Sequence, residues 1–233
     1  MWHFTDTNKL LRYHDNREVV AGETLSIEGE LVLCKHGLHA CKNILDACSY
    51  APGPYIWWVE LSGKVIHGDD KSVATKRKAV WGYDATNVLR EFARTVALEA
   101  VEKYWDETKF GAFPEVTRKY LQTGDESLRS AAESAAWSAA GSAARSAARS
   151  AAGSAAGSAA WSAAGYVAGS AAQYAAWSAA GSTAWSAAGS AAQYAAWSAA
   201  GSTAWSAARG AHEKLLSKMI QAGRPKPPKT KSS

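Results

Sequence analysis

A four-residue repeat runs from about Arg129 to Arg209 and constrains what the chain can fold into. Its unit is x-Ser-Ala-Ala, in which x is Trp, Gly, Arg, Gln or Glu. One block, GSAAQYAAWSAAGSTAWSAA, occurs unchanged at 169–188 and again at 189–208. An enzyme pocket needs many different residues at unique positions, whereas a repeated unit builds an extended surface or a scaffold. The tract therefore predicts architecture rather than catalysis.

The composition of the repeat favours an α-helix, because Ala fills about half of it and is the strongest helix former. Four residues turn an ideal helix by about 400°, so the x position drifts by about 40° per unit. Three arrangements would accommodate this drift: short helices packed side by side, one long helix underwound by π-type turns, or a right-handed superhelix. A stack of β-strands is a fourth interpretation, which the low β-propensity of Ala disfavours.

Aromatic residues must supply most of the hydrophobic free energy of the repeat, because Ala buries little apolar area. One interpretation treats them as packing between helices. The other treats them as exposed contacts for a partner, since Trp is enriched at interface hot spots. The candidate binding residues are Trp137, Trp161, Trp177, Trp185, Trp197, Trp205, Tyr174 and Tyr194.

The N-terminal region is predicted to be rich in strands. Leu25–Cys34 alternates apolar and polar residues around Glu28-Gly29, which suggests a hairpin. Tyr55–Leu61 is dense in β-formers and precedes a predicted turn at Ser62-Gly63. Asn43–Tyr50, between these runs, predicts one short helix.

A longer helix is predicted over residues 84–105, with Asp84 as its N-cap and apolar residues along one side. His212–Gln221 predicts a closing helical segment. The predicted organisation is an α+β domain at 1–105, a connector at 106–124, an all-α Ala-rich repeat (helical array, long helix or bundle) at 125–221, and a basic disordered tail at 222–233.

The charge balance does not favour nucleic acid as the main partner. The net charge of +5 includes four basic residues in the last ten, which leaves 5 − 4 = +1 for the rest. Three cysteines fit a reducing compartment better than a disulfide framework. With no signal peptide and no membrane-length apolar run visible, we expect a cytoplasmic protein.

The densest cluster of reactive side chains lies between Cys34 and Cys48. Two histidines, His36 and His39, stand among the three cysteines, but the spacing matches no strong metal signature. No common catalytic motif occurs, so we expect neither metal nor cofactor. The charge run at 69–78 is interpreted as a solvated loop, with a site for a phosphate-bearing ligand as the alternative.

Two resemblances bear on function. The segments ELVLCKHGLHACKNILD, WVELSG and DDKSVA resemble a family of small phage and prophage proteins with a G-[FL]-H-A-C motif, over about residues 10–100. That family has no assigned function, and its members often carry Ser/Ala-rich arrays. The resemblance implies a phage accessory protein that binds and disables a host complex, in the host cytoplasm.

The second resemblance concerns Gly37-Leu38-His39 followed by Ala47 and Tyr50. These residues look like the strand-to-helix segment of transferases of the poly-ADP-ribose polymerase type, which implies that His39 and Tyr50 flank a nicotinamide. The chain departs from that pattern because no catalytic glutamate can be placed.

Together these observations predict a non-enzymatic interaction protein that inhibits a host protein or complex and forms a homo-oligomer, with the repeat as either the binding surface or the oligomerisation element. A transferase-like or nucleotide-binding N-terminal domain and a structural self-assembly protein are the alternatives. Within the N-terminal domain the candidate pocket comprises His39, Tyr50 and Trp57; adjacent residues of a strand point to opposite faces, so one of Trp57 and Trp58 should enter the core.

Overall fold

The structure is a computed structural model that describes residues 1–12, 15–105, 107–136, 138–139 and 202–224. The described residues fall into two compact units. The first combines Met1–Val88 with the stretch that begins at Leu215, and the second is formed by the described residues between Leu89 and Lys214. The predicted α+β class of the N-terminal region is confirmed, because it contains an antiparallel sheet and helices.

The sheet is built around a long hairpin of β4 (Tyr55–His67) and β5 (Ser72–Asp84). The predicted strand Tyr55–Leu61 is confirmed, but the predicted turn at Ser62-Gly63 is wrong. The strand continues to His67 through an irregularity between Ser62 and Val65, and the chain reverses where the Gly68 amide donates to the Lys71 carbonyl at 2.9 Å. The Ser-Gly pair marks a bulge rather than the end of the strand.

Three short strands complete the sheet: β1 (Trp2–Thr5), β2 (Thr24–Ser26) and β3 (Leu38–Ala40). β1 pairs with β4, whereas β2 and β3 pair with different parts of β5. The hairpin predicted within Leu25–Cys34 is therefore wrong, since Leu25 lies opposite Arg77 of β5. The alternation of apolar and polar residues along Leu25–Cys34 is equally compatible with pairing to a distant strand.

The path of paired strands closes on itself. Trp2 of β1 and Cys41, which directly follows β3, exchange backbone hydrogen bonds of 2.7 and 2.8 Å. β1, β4, β5 and β3 are thus linked in a closed series of pairings, in which this bridge supplies the last link. The cluster of buried residues contains Leu11, Val19, Leu38, Ala40, Trp57, Val59 and Ala79.

Both helices predicted in the N-terminal region are confirmed. α1 covers Ile44–Tyr50 and buries four residues, including Ile44 and Cys48. α2 covers Thr86–Tyr104, and the Asp84 carboxylate accepts hydrogen bonds from the Thr86 amide and hydroxyl at 2.9 and 2.5 Å. This satisfies a donor at the helix start, but α2 begins at Thr86, so Asp84 lies one residue before the N-cap position predicted for it.

The second unit contains the connecting helices. α3 (Glu107–Phe110) and α4 (Glu115–Thr123) are separated near Gly111 and Pro114, and α4 ends at Gly124 in a left-handed conformation. A 3₁₀ turn, Glu126–Leu128, opens the repeat, and residues 129–136 and 138–139 are helical. In these first repeat units Ala132 and Ala136 are buried, whereas the serines are exposed.

The last helix, α5 (Ser202–Gly223), includes the predicted segment His212–Gln221. Its final turns belong to the first unit, where Leu216 and Ile220 are buried and the Tyr83 hydroxyl donates to the Ile220 carbonyl at 2.8 Å. The Arg224 guanidinium lies 5.1 Å from the centre of the Trp81 ring. The end of α5 is therefore tied to β5 by a hydrogen bond and a cation–π contact. Residues 140–201 and 225–233 lie outside the described residues, so the all-α repeat and the disordered tail stay predictions.

Candidate functional site

The G-L-H-A-C motif forms β3 and the turn that precedes it. Gly37 has a φ of +128°, and a Cβ placed there would lie 2.3 Å from Cγ2 of Val73. Only glycine fits this position without strain. Leu38 and Ala40 enter the core, so His39 between them lies on the other side of the strand and is half-buried.

His39 organises the loop before β3. Its Nε2 accepts a hydrogen bond from the Cys34 amide at 3.1 Å, which requires Nε2 to carry no proton. Burial lowers the pKa of His39, and a hydrogen bond to the Gly37 backbone only partly opposes that effect. Cys34 itself has a φ of +66°, a conformation that few side chains adopt and that this bond helps to hold. His39 is thus neutral at pH 7 and structurally engaged.

A polar group that we call the Lys71 cluster, formed by Cys34, Tyr50, Asp70 and Lys71, lies next to His39. The Lys71 ammonium lies 3.6 Å from the centre of the Tyr50 ring and 4.0 Å from an Asp70 oxygen. The Tyr50 hydroxyl donates to the Asp70 carboxylate, and Cys34 is among the groups that raise the pKa of Lys71. The cluster ties the end of α1 to the β4–β5 turn and to the loop before β3.

The protonation states of the cluster suit binding better than proton transfer. The hydrogen bond to Asp70 raises the pKa of Tyr50, so the phenol keeps its proton. Burial opposes the charge of Lys71, but its bonds to Tyr50 and Cys34 and the nearby Asp70 outweigh this and raise its pKa. A general base needs a pKa near the working pH, and neither Tyr50 nor Lys71 meets that condition.

Trp57 does not join His39 and Tyr50. It is 2% exposed in the core, and its indole N–H donates to the Thr5 hydroxyl at 3.0 Å. Tyr50, in contrast, is 46% exposed. The structure therefore brings His39 and Tyr50 to the same region around Lys71 and places Trp57 inside the fold, where it supports the sheet.

The cysteines have unequal environments. Cys41 and Cys48 are buried, which raises the pKa of both thiols to about 12, whereas Cys34 is exposed. A buried thiol with such a pKa behaves as a small apolar residue. In the part of the chain that the structure describes, no group of three His, Cys, Asp or Glu side chains could hold a metal ion.

Of the eight aromatic residues predicted to bind in the repeat, Trp205 falls within α5 and the other seven lie outside the described residues. Their role stays a prediction. Among the described helices, none is both long enough and apolar enough to cross a membrane.

Lys71 and Arg77 organise this region, although the interpretation of the charge run at 69–78 as a solvated loop gives neither of them that role. That interpretation is wrong, since most of the run belongs to β5. Lys76 and Lys78 are exposed, whereas Arg77 is only 3% exposed. The β-branched residues Val73, Thr75 and Val80 around Lys-Arg-Lys were the signal that could have indicated a strand, in which the central residue of the triplet faces the side opposite to its neighbours.

Comparison with known proteins gives one family for this region. Residues 11–91 match the family model DUF7666, a domain of unknown function. The match lies within the region of the predicted resemblance, residues 10–100, whereas the phage origin, the G-[FL]-H-A-C motif as a family mark and the Ser/Ala-rich arrays stay predictions. No curated protein and no solved structure matches the chain.

The protonation of two histidines makes stability depend on pH. Burial lowers the pKa of His39 and, more strongly, of His3, so the unfolded chain binds these protons more tightly. The stabilisation is complete above pH 6.5 and is lost progressively as the pH falls below it. We expect the free energy of unfolding to drop by at most ~1.4 kcal/mol per pH unit for each histidine, and by less for the part-exposed His39.

Urea unfolding followed by Trp fluorescence between pH 7.5 and 5.0 checks this prediction. The variant His3→Gln/His39→Gln should show a smaller slope over that range. An equal slope in the wild type and the double variant would contradict it.

Proposed function

We propose that this protein is a non-enzymatic interaction protein that binds and inhibits a host protein or complex through the four-residue repeat, with the N-terminal unit as its scaffold. The observation that carries the proposal is the repeat itself. Two identical blocks at 169–188 and 189–208 present Trp and Tyr at equivalent positions. Repeated aromatic side chains suit multivalent contact with a partner rather than a single reaction centre.

The borders of the repeat are held in place within the second unit, which supports this role. At the first border, the Thr117 hydroxyl donates to the Ala132 carbonyl at 2.9 Å in a buried position. At the second border, His212 is 4% exposed, packs edge-on against Phe92 at 6.4 Å and lies 3.4 Å from a Glu99 carboxylate oxygen. A tract fixed at both ends loses less conformational freedom when it binds.

The environments of the N-terminal reactive groups also support a non-enzymatic role. His39 is neutral and bonded to the Cys34 amide, and Tyr50 and Lys71 hold their protons. Cys41 and Cys48 are buried with raised pKa values. Each of these groups is engaged in maintaining the fold.

The proposal is tested by replacing four repeat tryptophans with Gln, a residue that already occupies the x position at 173 and 193. We expect the variant Trp161→Gln/Trp177→Gln/Trp185→Gln/Trp197→Gln to lose at least ~100-fold in affinity for a partner isolated with the wild type, because hot-spot aromatics contribute ~2 kcal/mol or more each. The matched control is Arg145→Gln/Arg149→Gln, which alters the same position without removing an aromatic ring.

Affinity is measured by calorimetry against the purified partner, after quantitative mass spectrometry has identified it from host lysate. Retained binding in the tryptophan variant would overturn the proposal, as would loss of binding in His39→Gln/Tyr50→Phe with the repeat intact. Light scattering on the free proteins separates loss of binding from loss of self-association.

A further inference from the structure

Arg77 is a buried charge at the centre of the sheet. It lies on β5 opposite Leu25 of β2 and Leu61 of β4, and only 3% of its surface is exposed. Its neighbours Lys76 and Lys78 are exposed. A buried arginine is normally compensated by a carboxylate and by hydrogen bonds to most of its donors.

The hydrogen bonds of Arg77 leave one nitrogen without a partner. Nη1 donates to the His39 carbonyl at 2.7 Å. Nη2 is buried and finds no acceptor among the described residues. Because an unsatisfied donor on a charged group is costly to bury, the site calls for a further acceptor.

Asp15, the acid whose charge acts on Arg77, is already hydrogen bonded to Arg17. Both Asp15 oxygens accept from Arg17, at 2.5 and 2.8 Å, and Arg17 also donates to the Ser26 carbonyl at 2.8 Å. Burial lowers the pKa of Arg77 to about 10, an effect that Asp15 counteracts and Arg17 reinforces.

His3 and His39 add no charge to this region. Both are half-buried. Burial is the larger cause of the lowered pKa of each histidine, and the charge of Arg77 contributes as well. Among the charged groups that act on Arg77, namely Asp15 and Arg17, the two arginines and one aspartate leave a net charge of 2 − 1 = +1. We call Arg77, Arg17, Asp15, His3 and His39 the Arg77 site.

We propose that the Arg77 site binds the carboxylate of a small ligand, with one oxygen accepting from Arg77 Nη2. A single negative charge balances these groups, and the buried, unpartnered Nη2 can donate to one carboxylate oxygen. A water molecule would satisfy the donor but leave the charge uncompensated. Solvent reaches the site at the half-buried histidines and at the Arg17 side chain, which is 41% exposed. The inference is independent of the proposed function, because it involves no residue of the repeat.

The test uses the full-length protein and acetate as the probe. Sodium acetate replaces sodium chloride at constant ionic strength and pH 7.5, and the imidazole resonances of His3 and His39 are followed by NMR. We expect saturable shifts at both rings, together with a saturable rise in the midpoint of thermal unfolding. Removing the charge with Arg77→Met should weaken acetate binding by ~10-fold or more.

The matched control is Lys78→Met, which removes an exposed charge from the adjacent position of β5 and should bind acetate like the wild type. Shifts that rise linearly without saturation in the wild type would overturn the proposal, and this result does not depend on whether Arg77→Met folds. Saturation by phosphate but not by acetate would overturn the assignment of the ligand as a carboxylate.

Discussion

Replacing Gly82 with valine should destabilise the first unit by more than ~3 kcal/mol. Gly82 lies opposite Trp57 in the β4–β5 pair, and the indole ring packs directly over it. A Cβ at this position would lie 2.3 Å from Cε3 of Trp57 and 2.8 Å from the Ile56 carbonyl oxygen. Neither group can move freely, because Trp57 is buried and hydrogen bonded to Thr5 and the Ile56 carbonyl belongs to the backbone.

The effect is measured by urea unfolding of the wild type and Gly82→Val. The matched control is Gly210→Ala in α5, where an added Cβ meets no atom within 4 Å. We expect that substitution to stabilise the protein by ~1 kcal/mol, because alanine favours helix over glycine. Equal stability of Gly82→Val and the wild type would show that Trp57 does not pack on Gly82 as described.

Shortening Ile220 to alanine should cost ~2–5 kcal/mol, the range for deleting a fully buried aliphatic side chain. Ile220 is 0% exposed, and its carbonyl accepts the hydrogen bond from Tyr83. Because the last turns of α5 belong to the first unit, the loss should appear in the unfolding of the sheet as well as of the helix.

Near-ultraviolet circular dichroism, which senses the packing of the tryptophans, should follow the same transition. Lys218→Ala is the matched control, since Lys218 is exposed on the same helix and should change stability by less than ~0.5 kcal/mol. A first unit that unfolds at the same urea concentration in Ile220→Ala and in the wild type would contradict the assignment of α5 to it.

The helices could be predicted because their signals are local. The apolar residues of α2 recur at helical spacing, and Leu89, Phe92 and Val96 are indeed buried. Strand pairing is not local, which explains the errors. Nothing in the alternation of Leu25–Cys34 distinguishes a neighbouring strand from β5, about fifty residues later.

The candidate site was predictable only in part. His39 could be predicted as a candidate site residue because it forms a short motif with Gly37. Trp57 was a candidate only because of its residue type. The sequence could not show that Trp57 enters the core while Tyr50 stays exposed, since this depends on how α1 packs against the sheet. The burial of Arg77 could not be predicted, because an arginine between two lysines has the sequence pattern of an exposed charge run, whereas here only the two lysines are exposed.

The hydrogen bond between Tyr83 and Ile220 joins residues 137 positions apart, so it has a consequence for synthesis on the ribosome. At ~5–20 residues per second, the nascent sheet emerges several seconds before the segment that completes it. Any product terminated within the repeat would lack that segment and expose apolar surface to proteases and chaperones. Only chains translated through the whole array can bury Ile220, which would couple survival of the protein in the cell to an intact reading frame.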